Sequence, residues 1–160
     1  MRFFNEINDW WDPNGSMGAL HAYNALRVAY LKRILVRDQE LFRMDTFSNI
    51  RAVDIGSGGG LFAESLGKLG CTVLGIDATE KCVEIARAHL ARSSDEGLKD
   101  LVSYRQTTVE ELAKEDNARG GFDLVSALEV IEHVKNPEEF MLNLCELLKP
   151  NGYLFMSTLN

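Results

Sequence analysis

The order of apolar and polar positions predicts an alternation of strands and helices from residue 51 onward. Short aliphatic and β-branched runs are separated by segments in which apolar residues recur at every third or fourth position. The five predicted strands are RAVDIG (51–56), CTVLGID (71–77), LVSYRQT (101–107), FDLVSAL (122–128) and YLFMSTL (153–159). Such an alternation indicates right-handed crossovers and a mostly parallel sheet with helices on both faces, an α/β fold.

Local signals indicate where the intervening helices begin and end. Gly70 is placed to cap the C-terminus of the first of these helices, and Thr79 is a suitable N-cap for the next one. Asn136 followed by Pro137 predicts the start of the last helix, since proline is favoured at the first helical position.

An N-terminal helical arm is predicted before the sheet. From Ala19 the apolar positions recur at three or four, which is typical of an amphipathic helix. These positions are Leu20, Tyr23, Leu26, Tyr30, Leu31 and Ile34. A polar stretch over residues 37–49 then links the arm to the main body. We therefore predict a helical lid or arm over 1–49 and a sheet domain over 50–160.

A glycine-rich turn follows the first predicted strand. Gly56, Gly58, Gly59 and Gly60 lie before a helix, where glycine permits positive φ and a close approach of a ligand to the backbone. Asp77 ends the second predicted strand, and a carboxylate there can accept both hydroxyls of a ribose. The two features predict a nucleoside site; the alternative is a structural turn and a surface aspartate.

The residues around this turn bear on which nucleoside it would bind. A nicotinamide dinucleotide site favours GxGxxG, whereas the sixth position here is Leu61. Asp54, two residues before the first glycine, would repel a pyrophosphate. S-adenosylmethionine instead carries a positive sulfonium and a positive α-ammonium. The pattern DxGxGxG therefore favours the methyl donor over a nicotinamide cofactor.

The adenine of such a donor is expected after the third strand, against Thr108, Val109 and Glu110. The Glu110 side chain could accept a hydrogen bond from the exocyclic amine. Thr108 and Glu110 also suit a helix start, so the contact and the plain helix start remain alternatives.

The stretch SALEVIEHV places Glu129, Glu132 and His133 in an apolar run. If the chain turns helical after the fourth strand, the three side chains share one face at i, i+3 and i+4. They could hold a divalent cation, with Mg²⁺ or Mn²⁺ favoured by oxygen ligands and Zn²⁺ admitted by the imidazole. Alternatively His133 could be a general base that deprotonates an acceptor hydroxyl, or the glutamates could simply solvate a helix start.

Composition and charge narrow the classes of function. The chain has 160 residues and a net charge of −7, which suits a single globular domain and disfavours binding to a nucleic-acid backbone. No apolar run approaches the ~20 residues that span a bilayer. The first residues also lack the apolar core of a signal peptide.

Three motifs together resemble one family, the ubiquinone-biosynthesis O-methyltransferases. These motifs are FFNEINDWWDPNGSMGALHAYNALR, VDIGSGGGLFAESLGKLGCTVLGID and ALEVIEHV, and the resemblance covers nearly the whole chain. It implies a Rossmann-like class I methyltransferase fold that uses S-adenosylmethionine to methylate ring hydroxyls of polyprenylated catechols. Family members continue with two more strands, so strands one to five are expected here and the C-terminal strands are expected to be missing.

The resemblance also implies roles for individual residues. Arg27 is expected to bind the carboxylate of the donor, and Leu128 is expected to contact the donor through its backbone. The full set of expected donor contacts is Arg27, Asp54, Gly56, Gly58, Asp77, Ala78, Val109, Glu110 and Leu128. The resemblance favours the metal alternative for Glu129, Glu132 and His133, which are thus the expected catalytic and metal-binding residues.

A polyprenylated substrate implies peripheral contact with a membrane. Trp10, Trp11 and the amphipathic helix could form a lid or an apolar entrance for the polyprenyl tail. The resemblance further implies a quinone-biosynthesis complex, at the matrix side of the mitochondrial inner membrane in a eukaryote or in the cytoplasm of a bacterium. The polar linker over 37–49 and the long stretch before the fourth strand favour the mitochondrial location. The alternatives are a non-catalytic donor-binding subunit or scaffold, a methyltransferase with another small acceptor, and a nicotinamide-dependent oxidoreductase.

Overall fold

The computed structural model of the chain describes residues 9–37 and 47–158. The strands are β1 (Arg51–Ile55), β2 (Thr72–Asp77), β3 (Val102–Gln106), β4 (Phe122–Leu128) and β5 (Leu148–Ser157). The helices are α1 (Gly18–Arg37), α2 (Leu61–Lys68), α3 (Glu80–Ala91), α4 (Glu96–Leu101), α5 (Val109–Leu112) and α6 (Pro137–Leu147). A 3₁₀ turn covers Ile131–His133 between β4 and α6.

The five strands form one parallel sheet in the order β3-β2-β1-β4-β5. The direction of strand order reverses between β1 and β4, where Asp54 pairs with Ser126 and Ile55 pairs with Ala127. In sheets of this kind a crevice opens outside the carboxyl ends of the strands at the reversal. The predicted α/β Rossmann-like class is confirmed, and the crevice lies beside the glycine turn.

Side chains on the two faces of the sheet pack into separate buried clusters. Ala52 and Leu124 face a cluster that includes Leu31 and Leu35 of α1 together with residues of α2 and α3. Val53 of β1 faces the other cluster, which is built with α5 and α6. Because successive strand residues point to opposite faces, near-continuous apolar strands are buried on both sides.

Several predicted helix boundaries are confirmed. Gly70 lies just beyond α2 with φ of 103°, a left-handed conformation suited to a helix end. Asn136 is the N-cap of α6, and its Oδ1 accepts from the Glu139 N–H at 3.2 Å, with Pro137 at the first helical position. These signals act between neighbours in the chain, so the sequence predicts them well.

Two features near α3 and α4 differ from the sequence prediction. Thr79 takes the N-cap position of α3, but its side chain makes no capping hydrogen bond. Its N–H instead donates to Asp77 Oδ1 at 2.8 Å. Helix α4 was not predicted; Asp95 caps it by accepting from the Leu98 N–H at 3.2 Å.

The apolar positions of α1 do not lie on one buried face. Leu31 and Leu35 are buried, whereas Tyr23, Leu26 and Tyr30 are 47%, 68% and 50% exposed. The helix packs on α2 through a different stripe. The spacing of apolar residues therefore wrongly predicted that the outward stripe belongs to the packed face. We call Tyr23, Leu26 and Tyr30 the outer stripe of α1.

The predicted division at residues 49 and 50 stays a prediction. Residues 1–8 and 38–46 lie outside the described parts, and most of the predicted polar linker falls there. Leu31 and Leu35 of α1 share a buried cluster with β1 and β4, so the helix packs directly onto the sheet domain. Within the described residues, β5 is at one edge of the sheet.

Candidate functional site

The turn between β1 and α2 is shaped by glycines in left-handed conformations. Gly56, Gly58 and Gly60 have φ of 68°, 54° and 91°. Residues with a side chain rarely adopt such angles, so the path of the turn depends on glycine. The Ser57 N–H donates to the carbonyl of Ile76 at 2.9 Å, which ties the turn to the end of β2. We call residues 56–60 the glycine loop.

Asp77 at the end of β2 contacts the glycine loop directly. Its Oδ2 accepts from the Gly58 N–H at 3.0 Å, and its Oδ1 accepts from the Thr79 N–H at 2.8 Å. A carboxylate oxygen can accept more than one hydrogen bond, so these contacts orient the group without exhausting it. Ala78, which follows, is exposed at the same edge of the sheet.

Asp54 lies beneath the glycine loop and is only 3% exposed. Ser126 Oγ donates to its Oδ1 at 2.7 Å from the neighbouring strand β4. Burial raises the pKa of Asp54 to about 7; Asp77 adds to the rise, while the Ser126 hydrogen bond and Arg27 oppose it. The carboxyl group is therefore balanced between its neutral and charged forms near neutral pH.

Trp10 and Trp11 cover the outside of the glycine loop. A Cβ atom added to Gly58 or Gly59 would lie 2.5 Å or 2.8 Å from the Trp10 ring, so glycine is required for this close packing. The Trp11 Nε1–H donates to the carbonyl of Gly59 at 3.0 Å. Trp10 is 7% exposed. The two indoles thus cover the loop, and their role as a lid over a ligand stays a prediction.

Trp11 is held by residues that the sequence did not single out. Its ring stacks on His89 with centroids 3.4 Å apart and 3° between the planes. His89 Nδ1 lies 2.8 Å from Oε1 of Glu64, which is 1% exposed. Glu64 is in α2 and His89 is in α3, and the sequence pattern around each residue does not predict this contact.

The chain does not form an α-helix directly after β4, so the condition for a shared helical face is not met. Glu129 has φ of 57°, and its N–H donates to the Ser157 carbonyl at 2.9 Å, which extends the pairing with β5. Only the short 3₁₀ turn over Ile131–His133 follows. Because the backbone of Glu129 stays paired with β5, the expected helical face of Glu129, Glu132 and His133 does not exist.

The Glu129 side chain is in a charged cluster with Arg27 and Ser157. Its Oε1 accepts from Arg27 Nη2 and, at 2.8 Å, from Ser157 Oγ. Arg27 Nη2 also donates to Ser157 Oγ at 3.0 Å. Glu129 Oε2 is buried without a hydrogen-bond partner. We call these three side chains the Arg27 cluster.

Glu132 and His133 do not join Glu129 in a metal site. Both are exposed, and Glu132 Oε2 accepts from Thr158 Oγ1 at 3.1 Å. Across residues 9–37 and 47–158 no group of three or more His, Cys, Asp or Glu side chains is placed to hold a metal ion. A guanidinium already occupies one oxygen of Glu129. The arrangement therefore does not fit the expected three-ligand cation site.

The expected adenine contacts lie at the start of α5. Thr108 Oγ1 accepts from the Glu111 N–H at 3.3 Å, and Glu111 Oε2 accepts from the Thr108 N–H at 3.3 Å, a capping box. The plain helix start is thus confirmed for Thr108. Val109 is buried and Glu110 is partly buried. Leu128, partly buried, ends β4 at the same edge of the sheet.

The structure contains no helix, within its described ranges, that is long and apolar enough to cross a membrane.

Comparison with known proteins relates this chain to methyltransferases. The methyltransferase-domain family matches residues 23–160. The ubiquinone biosynthesis O-methyltransferase of Caulobacter vibrioides is 40% identical over 99% of this chain and 61% of its own length. That of Bartonella bacilliformis is 38% identical over 95% of this chain and 59% of its own length. The chain spans about three fifths of the length of these curated relatives.

Solved structures share the fold. The magnesium protoporphyrin IX methyltransferase of Synechocystis PCC 6803, solved with bound SAM, has a TM-score of 0.68 at 20% identity, covering 92% of this chain and 66% of its own. An S-adenosylmethionine dependent methyltransferase from Mesorhizobium loti has a TM-score of 0.57 at 25% identity, covering 72% and 49%. The resemblance found in the motifs is confirmed: the chain belongs to the methyltransferase-domain family, and nearly its whole length is similar to ubiquinone biosynthesis O-methyltransferases.

Proposed function

We propose that the protein binds S-adenosylmethionine and methylates a ring hydroxyl of a polyprenylated catechol in ubiquinone biosynthesis. The assignment of the donor rests on the pair of carboxylates at the glycine loop. Asp54 is buried beneath the loop, and Asp77 accepts from the Gly58 N–H. The acceptor class rests on the similarity to relatives bearing the name of that pathway.

The charges around the glycine loop suit a cationic ligand. A sulfonium and an α-ammonium would be attracted by Asp54, whereas a pyrophosphate near two carboxylates in a partly dry crevice would be repelled. Asp77 would accept the ribose hydroxyls. The adenine would lie against Val109 and Glu110 because β3 ends beside β2 at the same edge. This charge pattern disfavours the nicotinamide-dependent alternative.

The remaining proposed donor contacts line the same edge. Gly56 and Gly58 would approach the donor through their backbones, and Ala78 and Leu128 follow and end the neighbouring strands β2 and β4. Arg27 would bind the donor carboxylate. These roles join the elements α1, β1, β2 and β4 around a single crevice.

The chemistry would be an in-line displacement at the methyl carbon. The acceptor oxygen attacks that carbon, the bond from carbon to the sulfonium sulfur breaks, and S-adenosylhomocysteine leaves. The proton of the hydroxyl must go to a base, and we propose His133, which is exposed on the 3₁₀ turn beyond β4. Positioning of the two reactants supplies much of the acceleration in such a reaction.

Assistance by a divalent cation, with Mg²⁺ favoured over Mn²⁺ and Zn²⁺, stays a prediction. It came from the resemblance for Glu129, Glu132 and His133, and the described side chains do not gather into a site. No step of the proposed reaction is assigned to a cation. A bound cation would lower the pKa of a coordinated hydroxyl.

We also propose peripheral membrane contact through the outer stripe of α1. Tyr23, Leu26 and Tyr30 are each about half exposed or more, and Lys32 and Arg33 follow them, while α1 contains no acidic residue. Tyrosine, leucine and basic residues on one helix are typical of helices that lie at a lipid surface. The basic helix would turn towards anionic lipid although the whole chain carries −7.

Assembly and location follow from the same proposal. A lipid-bound acceptor is compatible with a quinone-biosynthesis complex at a membrane surface. The relatives named above are bacterial, which favours the cytoplasm of a bacterium over the mitochondrial matrix side. A donor-binding subunit without catalysis is the alternative; methyl transfer to a short-chain catechol by this chain would exclude it.

Calorimetry with S-adenosylhomocysteine tests the donor proposal. Asp77→Ala should weaken binding by at least tenfold, because it removes a charged acceptor from the crevice. Asp116→Ala, at an exposed position between α5 and β4, is the matched control and should bind as the parent chain does. Binding of NADH in place of the sulfur nucleosides would refute the proposal.

A further inference from the structure

The Arg27 cluster contains an acceptor atom that no described residue satisfies. Glu129 Oε1 receives two hydrogen bonds, whereas Oε2 is buried without a partner. Buried polar atoms are nearly always hydrogen-bonded, and an orphan one calls for a partner. We propose that Glu129 Oε2 accepts the α-ammonium of the methyl donor, so that Arg27 and Glu129 bind the two ends of its amino acid as a pair.

The position of Glu129 places it beside the glycine loop. It directly follows β4, the neighbour of β1 at the reversal of strand order. The next residue, Val130, packs onto Gly56 so tightly that a Cβ there would lie 2.5 Å from Val130 Cγ2. A ligand seated on the glycine loop would therefore meet Glu129 at the adjoining strand end.

The backbone of Glu129 is unusual for its residue type. Its φ of 57° lies in the left-handed region, which glycine, asparagine and aspartate tolerate far better than glutamate. The hydrogen bond from the Glu129 N–H to the Ser157 carbonyl, at 2.9 Å, stabilises this conformation. Strained backbones of this kind concentrate at ligand sites, where the conformation aims a side chain.

Charge favours a zwitterion over a metal ion at this cluster. Arg27 and Glu129 already form an ion pair whose side chains are 16% and 17% exposed. A divalent cation would add two positive charges beside the guanidinium. An amino acid instead adds one charge of each sign, and its carboxylate can take N–H donors of Arg27 beyond the two of Nη2. The cluster with this ligand stays neutral.

Ser157 acts as a positioning residue. Its Oγ accepts from Arg27 Nη2 at 3.0 Å and donates to Glu129 Oε1 at 2.8 Å. The hydroxyl therefore contacts both charged groups of the ion pair and helps to hold them at the end of β5. It comes from the end of β5, so the three partners bring together α1, β4 and β5.

The inference rests on the proposed donor. A comparison of two ligands distinguishes a failure of the inference from a failure of the proposed function. S-adenosylhomocysteine carries the amino acid, whereas 5′-methylthioadenosine keeps the adenosine and sulfur but lacks it. In calorimetry, Glu129→Gln should weaken the binding of S-adenosylhomocysteine by about tenfold or more and leave the affinity for 5′-methylthioadenosine unchanged. Only the first ligand loses a charge-assisted hydrogen bond. Glu138→Gln, exposed at the start of α6, is the matched control.

The outcomes distinguish the inference from the proposed function. If the parent chain binds neither ligand, the proposed function fails. If it binds both and Glu129→Gln leaves them unchanged, or weakens both equally, the inference is overturned and the donor proposal stands. Should Glu129→Gln not fold, Ser157→Ala provides the same comparison. It should weaken S-adenosylhomocysteine alone, and equal losses for both ligands would overturn the inference.

Discussion

Asp54→Asn changes the charge of one buried side chain while nearly preserving its shape. Ser126 Oγ can donate to an amide oxygen as it does to Asp54 Oδ1, so the local hydrogen bond survives. The perturbation therefore isolates the charge beneath the glycine loop. Two opposite effects follow: the ligand-free protein should gain stability and the donor should bind less tightly.

The gain in stability follows from the pKa of Asp54. Burial raises this pKa from 3.8 to about 7, so the folded chain holds a proton that the unfolded chain releases between these values. The stabilising contribution is complete below about pH 4 and is lost as the pH rises through about 7. At about 1.4 kcal/mol per pH unit, the ionised side chain costs on the order of 4 kcal/mol above pH 7.

Urea unfolding between pH 4.5 and 8.5 measures this effect. Asp54→Asn should be more stable than the parent at pH 8, and the difference should shrink towards pH 4.5. Asp116→Asn, an exposed control, should follow the parent at every pH. A variant that is no more stable than the parent at pH 8 would show that burial of Asp54 carries no such cost.

Donor binding should change in the opposite direction. A cationic donor favours the ionised form of Asp54, so the affinity of the parent for S-adenosylmethionine should rise from pH 6 to pH 8, with a proton released on binding. Asp54→Asn should bind more weakly and lose this pH dependence. Calorimetry in buffers of different ionisation enthalpy measures the proton. Full affinity in the variant would refute the role assigned to the buried carboxylate.

Gly58→Ala should destabilise the fold by roughly 2 kcal/mol and weaken donor binding, because φ is 54° and the new Cβ would meet the Trp10 ring; unchanged urea midpoints would contradict this. Leu26→Ser combined with Tyr30→Ser should reduce sedimentation with anionic vesicles several-fold while sparing donor binding; equal sedimentation would exclude the outer stripe as the contact. Treatment with EDTA tests the predicted assistance by a cation: loss of methyl transfer that Mg²⁺ restores, with donor affinity unchanged, would support it, although the described side chains form no site for it. Activity that persists without metal would refute that prediction.

The positions of four strands could be predicted from the sequence with little error, but β5 begins at Leu148, five residues before the predicted start at Tyr153. The fourth strand matches β4 at both ends, and the others differ at their boundaries. Helix signals such as Asn136-Pro137 and Gly70 worked for the same reason: they depend on hydrogen bonds between neighbouring residues. The placement of Asp54 and Asp77 at the glycine loop also followed, since parallel strands end at one edge.

The sequence predicted α1 but not which of its faces is buried. Tyr23, Leu26 and Tyr30 fit an amphipathic spacing as well as Leu31 does, yet only the last is buried. The spacing of apolar residues predicts that a helix has an apolar stripe. It does not predict which stripe is covered by another element. That choice is made when α1 meets α2 and the sheet.

Local preferences therefore determined the fold class, the glycine loop and the residues at the strand ends, because they act over a few positions of the chain. Only the tertiary structure decided the surroundings of Glu129. Its partner Arg27 lies 102 residues away in the chain and Ser157 lies 28 residues away. Such partners meet only after the sheet has formed, so their hydrogen bonds, and not the local pattern, determine the conformation around Glu129.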